Sequence, residues 1–156
     1  MRLLIQRVRE ASVTVGGERV AAIGPGFLVL VGFGSMDGPD LPKSKIWATL
    51  VEKLAGLRVF QDDADKMNLG IEDCGGEMLL VSQFTLYADC RKGRRPSFHL
   101  ACEPAVASEL FAAFVQTMEK RLPGRIRQGI FAADMDVALI NWGPVTIMLD
   151  SEDFSG

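Results

Sequence analysis

The sequence predicts a single mixed α/β domain built on a largely antiparallel, curved sheet with two long helices. Three observations carry this. The chain opens on β-rich stretches closed by glycine-containing turns. Two later segments repeat apolar residues at helical spacing. Two short apolar runs then flank a Gly-Pro pair near the end. A length of 156 residues suits one compact domain. About eight strands and two helices in irregular order point to a mixed architecture without repeats or linkers.

Residues 2–8 and 12–15 alternate as strands, and Gly16-Gly17 turns the chain back into a strand over residues 19–23. Gly24-Pro25-Gly26 makes another turn before a buried strand at 27–33. Residues 34–40 form a polar loop. Ile46, Trp47, Leu50, Val51 and Leu54 share one face of a helix expected over 41–54, which Gly56 ends. A short strand at 57–60 and a polar loop at 61–76 follow. Residues 77–81 form an apolar strand that delivers Ser82-Gln83-Phe84-Thr85-Leu86 at its end, before a long basic loop over 87–100. Val106, Leu110, Phe111, Phe114, Val115 and Met118 mark the inner face of a second helix over 104–121, stopped by Pro123-Gly124. Strands are expected at 126–131, 137–141 and 145–149. The domain proper thus covers residues 1–150, and 151–156 form a flexible, frayed acidic tail.

Composition excludes several classes. The longest apolar runs are too short for a membrane-spanning helix, so no membrane partner is expected. The alternating, charged N-terminus does not resemble a signal peptide. Cys74, Cys90 and Cys102 lack CxxC spacing and are expected as reduced thiols of a cytoplasmic protein. His99 and Cys102 alone fall short of a zinc set, and Asp62, Asp63 and Asp65 lack the calcium-loop pattern. No phosphate-binding glycine loop is present, so neither metal nor cofactor is expected. The net charge of −3 argues against a strongly basic nucleic-acid binder, but Arg91, Lys92, Arg94 and Arg95 still place four positive charges within five residues.

Two segments carry chemistry. Ser82-Gln83-Phe84-Thr85 offers two hydroxyls, an amide and a ring within four residues, at a strand end whose backbone N–H groups can meet a developing oxyanion. Asn141-Trp142-Gly143-Pro144-Val145-Thr146 contains a glycine without a side chain and a proline without a backbone donor, a pair able to present bare carbonyls to a ligand. A Ser-His-Asp triad has only His99 to draw on, and no GxSxG elbow exists. Ester hydrolysis would need such an oxyanion site plus a positioned water or hydroxyl, and not strictly a protein nucleophile.

These two motifs, in this order, resemble the signatures of the D-aminoacyl-tRNA deacylases. The likeness covers nearly the whole chain: Ile5-Gln6-Arg7-Val8, Ala11-Ser12-Val13-Thr14-Val15, Lys66-Met67-Asn68-Leu69, Arg94-Arg95-Pro96-Ser97-Phe98 and Phe131-Ala132-Ala133-Asp134-Met135 join the two. The resemblance implies a homodimer with active sites at the subunit interface. It also implies removal of D-amino acids from mischarged tRNA, a step of translation quality control. Ser82, Gln83, Phe84 and Thr85 would form the catalytic floor, with Gln83 and the Phe84 amide polarising the ester carbonyl. Gly143 and Pro144 of the other subunit, joined by a cis peptide, would hold the substrate's amino group and exclude L-side chains. Met67 and Asn68 would line the adenosine side, and Arg7 would steady the Gly-Pro loop. Since glycine has no side chain to reject, glycyl-tRNA is an expected second substrate.

The resemblance leaves two mechanisms, water assisted by the terminal 2′-hydroxyl or attack by Thr85. The first is favoured because no base is visible for Thr85. One departure stands out: Trp142 occupies a position that is commonly acidic in the family. Two other readings are an RNA-binding module without catalysis and a general small-ester hydrolase.

Overall fold

The computed structural model describes residues 1–154. Its main sheet is organised around one long strand, β1 (Arg2–Val15). Along one edge β1 pairs antiparallel first with β3 (Gly26–Gly32) and then with β2 (Glu18–Ile23). Along the other edge it pairs antiparallel with β8 (Asp136–Asp150) over almost its whole length. Beyond β3 the sheet continues in parallel with β6 (Glu77–Ser82) and β7 (Ile126–Gln128). The sheet is thus mixed, with the expected antiparallel pairing concentrated on β1.

The two parallel pairings need crossovers, and the helices supply them. α1 (Lys45–Ala55) lies in the connection from β3 to β6, and α2 (Pro104–Arg121) joins β6 to β7. α1 starts four residues later than expected and spans 11 residues. Residues 41–43 form a separate 3-10 turn holding Pro42, and Ser44 caps the helix by accepting the Trp47 amide at 3.2 Å. Gly56 closes it, its N–H reaching Glu52 O at 2.9 Å. α2 has the expected span, with Glu103 accepting the Ala105 and Val106 amides and Pro104 where no amide donor is required.

Both helices pack on one face of the sheet. Trp47, Leu50, Leu54, Phe111, Phe114 and Met118 meet Leu3, Ile5, Phe27, Val29, Met78 and Leu80 there. The sheet curls so that its other face encloses a smaller core of Val8, Val13, Ile23, Leu28, Leu79 and Val81. β3 and β6 are therefore covered on both faces, which explains their continuous apolar runs.

Several local expectations change. Residues 2–8 and 12–15 are one strand, and so are 137–141 and 145–149, because β1 and β8 pair on both sides of an irregularity around Arg7. The expected strand at 57–60 reduces to β4 (Phe60–Gln61), paired in a small separate hairpin with β5 (Met67–Leu69). Asp62 makes that turn, accepting the Ala64 and Lys66 amides on Oδ1. β7 stops three residues short of the span expected. At the acidic end, where fraying was expected, Ser151–Phe154 forms a 3-10 turn. There the Met1 ammonium donates to Ser151 Oγ at 2.8 Å, Ser151 N donates back to Met1 O, and Phe154 packs against the core. Residues 155–156 of that stretch lie outside the described residues.

Candidate active site

The Gly143-Pro144 segment is a bulge in β8. Gln6 faces Thr146 and Val8 faces Asn141, so the single residue Arg7 stands opposite residues 142–145. The surplus loops outward, leaving Gly143 and Pro144 exposed. The bond between them is cis. Gly143 adopts φ +140°, and a Cβ there would lie 2.8 Å from Arg7 Nη2 and 2.8 Å from Val145 Cγ2. Only glycine meets both demands.

Arg7 braces this bulge. It is 3% exposed, the one charged residue in the buried set among the described residues. Its Nε donates to Trp142 O at 2.7 Å, and its Nη1 donates to Val59 O. Burial, followed by the nearby Arg9, pulls its guanidinium down from its ordinary value. The charge is met by two carbonyls and a ring, since Arg7 Cζ sits 5.0 Å from the Trp142 centroid. Arg9 adds a second cation at 4.5 Å, and Phe60 meets the same indole edge-on at 6.4 Å. Trp142 is therefore a packing element of the loop. Asn141 closes the base: its Nδ2 donates to Val145 O and Thr146 Oγ1, each at 3.1 Å, and its Oδ1 accepts the Val145 amide at 2.8 Å.

The Ser82–Thr85 segment is held differently. β6 ends at Ser82, the Gln83 amide donates to Val31 O at 2.8 Å, and the chain turns into a 3-10 turn over Phe84–Tyr87. Gln83 Nε2 donates to Thr85 Oγ1 at 2.5 Å. Phe84 is 55% exposed and stacks edge-on against Phe98, with centroids 4.9 Å apart. Beneath the turn, burial pushes the Tyr87 hydroxyl up, and Arg2 lies 4.4 Å over its ring while donating to Leu86 O and Asp150. His99 bonds Ser97 Oγ at 2.9 Å and faces Asp89, not either hydroxyl of the motif.

The two motifs line separate cavities. Ser82, Gln83 and Phe84 border one of about 690 Å³, with Phe98, Cys102 and Asp134. Burial, then Asp37, pushes the Cys102 thiol up, making it a poor nucleophile there. Arg7, Met67, Gly143 and Pro144 border another of about 490 Å³, with Arg9 and Gln61. The two share no lining residue. Thr85 lies beside the first through Gln83. Asn68 lines neither, its side chain and carbonyl being engaged by Arg58. Among the described residues no group of three or more His, Cys, Asp and Glu is arranged to hold a metal ion, and no helix is long and apolar enough to cross a membrane.

Three contributors escaped the reading of the sequence: Arg9, the Asn141 side chain and the Val59 carbonyl. Arg7 and Arg9 are two apart on a strand and so share a face, a signal for the first of them. Asn141 carried a signal too, standing at the start of the Gly-Pro motif. A backbone carbonyl has none.

Known proteins resemble this chain in sequence and fold. The family described as D-Tyr-tRNA(Tyr) deacylase matches residues 4–150. A protein of Solidesulfovibrio magneticus named D-aminoacyl-tRNA deacylase is 58% identical over all of this chain and 99% of its own length. One of Thermus aquaticus with the same name is 50% identical, again over all of this chain and 99% of its own. Among solved structures, the c-Myc DNA unwinding element binding protein superposes with a TM-score of 0.86 at 40% identity, covering 96% of this chain and 98% of that one. A probable eukaryotic D-amino acid tRNA deacylase shares the fold, with a TM-score of 0.78 at 20% identity over 95% and 97% of the two chains. Fold and motif order define a hydrolase of the deacylase class. The chain belongs to the D-Tyr-tRNA(Tyr) deacylase family.

Proposed function

We propose that the protein hydrolyses the ester joining a D-amino acid to the 3′ end of tRNA, releasing both, and acts as a chiral proofreader of translation in the cytoplasm. Its working form is a homodimer, in which Gly143 and Pro144 of one copy complete the Ser82–Thr85 cavity of the other. It needs no metal or cofactor. The relatives' names support the substrate class. Separate cavities for the two motifs within one chain support the dimer. So does β8, a 15-residue strand paired on one edge only among the described residues, with Ile140 and Met148 half-exposed.

The observation that carries the selectivity is the bracing of the Gly143-Pro144 bulge. The loop's carbonyls accept the substrate's ammonium group, which sets the direction of the side chain. An L-side chain then meets backbone, while a D-side chain points outward. To admit the L-form the loop must yield, losing the Arg7 bond to Trp142 O and the Asn141 bonds to Val145. A charge-assisted bond contributes about 1.5–3 kcal/mol and a neutral one about 1. Together they oppose the shift by about 4 kcal/mol, roughly a thousandfold in rate. Glycyl-tRNA meets no such barrier and is a second substrate.

On the reacting side, the Phe84 amide and Gln83 polarise the ester carbonyl and stabilise its oxyanion. Water attacks, assisted by the 2′-hydroxyl of the terminal ribose. Thr85 is a supporting group: its hydroxyl accepts from Gln83, and no base is within its hydrogen bonds. Ser82 supports the cavity wall and the terminal adenosine, with Met67 and Asn68 towards the adenosine side.

The test is deacylation of matched D- and L-tyrosyl-tRNA with chelator present. Release from the D-form alone supports the reading. Release from both removes the selectivity argument, and release from neither favours an RNA-binding module without catalysis. Glycyl-tRNA should be cleaved faster than L-alanyl-tRNA; equal rates would remove it as a substrate.

A further inference from the structure

One charged feature is unused by this site. Asp89 and Ser97 exchange both backbone hydrogen bonds, at 2.7 and 2.9 Å, and close a small hairpin whose tip holds Arg91, Lys92, Gly93, Arg94 and Arg95. Every residue from 90 to 100 is exposed. Asp89 is the one carboxylate of the hairpin, and Arg91 occupies both its oxygens, at 2.8 and 2.7 Å. The Arg91 hydrogen bonds hold the Asp89 carboxyl well below the usual carboxylate range. Lys92, Arg94 and Arg95 make no ion pair among the described residues. Three uncompensated cations thus share one projecting tip on a chain of net charge −3. Folding alone gives no reason to gather them, since like charges at a tip repel.

The hairpin is tied to the candidate cavity. Phe98 follows directly on Ser97 and stacks against Phe84, and both rings line that cavity. Past Phe98 the chain is anchored on the segment just after β3: Leu100 O accepts the Ser35 amide at 2.8 Å, and Cys102 N reaches Phe33 O at 3.0 Å. A nucleic acid whose end lay in the cavity would have its backbone phosphates within reach of the tip. We infer that Lys92, Arg94 and Arg95 form a phosphate-binding arm that grips the tRNA backbone next to its aminoacylated end. The inference rests on tRNA being the substrate. The arm binds without regard to base sequence and contributes to the capture of tRNA, not to the chemical step.

The experiment compares the full-length protein with the triple variant Lys92→Ala, Arg94→Ala, Arg95→Ala. Three readouts are taken: turnover of D-tyrosyl-tRNA, turnover of D-tyrosyl-adenosine (which lacks the neighbouring phosphates), and binding of uncharged tRNA across a salt series. The variant should cleave D-tyrosyl-adenosine within twofold of the parent. Its KM for D-tyrosyl-tRNA should rise at least tenfold at about 0.1 M salt with kcat unchanged. The slope of log affinity against log salt should fall by about 2–3, because three phosphates are no longer neutralised by the protein. Lys92→Arg, Arg94→Lys, Arg95→Lys should keep the parent slope. Unchanged tRNA binding and slope would overturn the inference. So would equal losses on both substrates, which would make the hairpin a prop for Phe98. If the parent cleaves neither substrate but loses its salt-dependent tRNA binding in the variant, the arm stands and the hydrolase reading falls.

Discussion

The Gly143-Pro144 bulge and the Ser82–Thr85 turn both end apolar stretches, but they are held in opposite ways. The bulge is locked from beneath by a buried arginine and from its base by Asn141, with Trp142 wedged between Arg7, Arg9 and Phe60. The turn rests on a backbone bond to Val31 and, past Thr85, on Arg2 beneath Leu86 and Tyr87, while its motif side chains bond each other or stand exposed. On the function proposed above, the difference would separate two tasks. Choosing between mirror-image substrates needs a surface that does not yield, and backbone held by buried bonds provides it. Polarising an ester needs donors that face the ligand, and a short turn at a strand end leaves its first amides free to do so.

Breaking the bulge should have the largest effect. Gly143→Ala places a Cβ against Arg7 and Val145 at an unsuitable φ, so the loop must shift. We expect kcat/KM on D-tyrosyl-tRNA to fall about a hundredfold, the scale of an ångström's misplacement. Parent-like turnover would show the loop to be less rigid than its contacts imply.

Loosening the wedge should cost less. Trp142→Ala removes two cation–π interactions and the Phe60 edge contact, together about 2 kcal/mol. The melting temperature should drop by roughly 4–8 °C, with the D-over-L preference falling about tenfold. Trp142→Phe should recover much of both. A preference that survives Trp142→Ala would mean that Arg7 and Asn141 brace the loop unaided.

On the turn side, Thr85→Val removes one acceptor of about 1 kcal/mol, so kcat should fall about fivefold. Trapping of an acyl ester on Thr85 by rapid quench would instead make it the nucleophile.

The smallest effect lies beneath the turn, where Arg2 joins the start of β1 to the end of β8. Burial would raise the Asp150 carboxyl, but hydrogen bonds from Arg2 and the Glu152 amide outweigh it and hold it low. A carboxyl lower in the folded state stabilises the fold above its unfolded value of about 4, and this contribution is lost as pH falls through the folded value. Asp150→Asn should therefore lower stability by about 1 kcal/mol or less at neutral pH. The gap from the parent in urea titrations should close as pH falls below the ordinary carboxylate range.

The two regions also differ in how legible they were. α2 could be read from its periodicity, and the buried strands β3 and β6 from their continuous apolar runs. Both chemical motifs stood out because their residue types are unusual at strand ends. The merging of 137–141 with 145–149 was hidden: Gly-Pro reads locally as a break, and only the unbroken partner β1 keeps the strand running past it. Arg7 looked like one charge of an alternating strand, and nothing nearby in sequence supplies the carbonyls that hold it. The expected start of α1 at residue 41 ran ahead of its apolar spacing, which begins only at Ile46, and Ser44 caps the helix just before it.

The sequence by itself determined that this is one mixed α/β domain with a Ser-Gln-Phe-Thr strand end and a Gly-Pro motif, and in that order the two identify the family. Those features are local, written in side-chain type and spacing. Only the tertiary structure decided that Arg7 is buried beneath Gly143, that Trp142 is a wedge, and that the two motifs line separate cavities. Those facts depend on the register of β1 against β8, which brings together residues about 135 positions apart. No local pattern encodes a contact at that range.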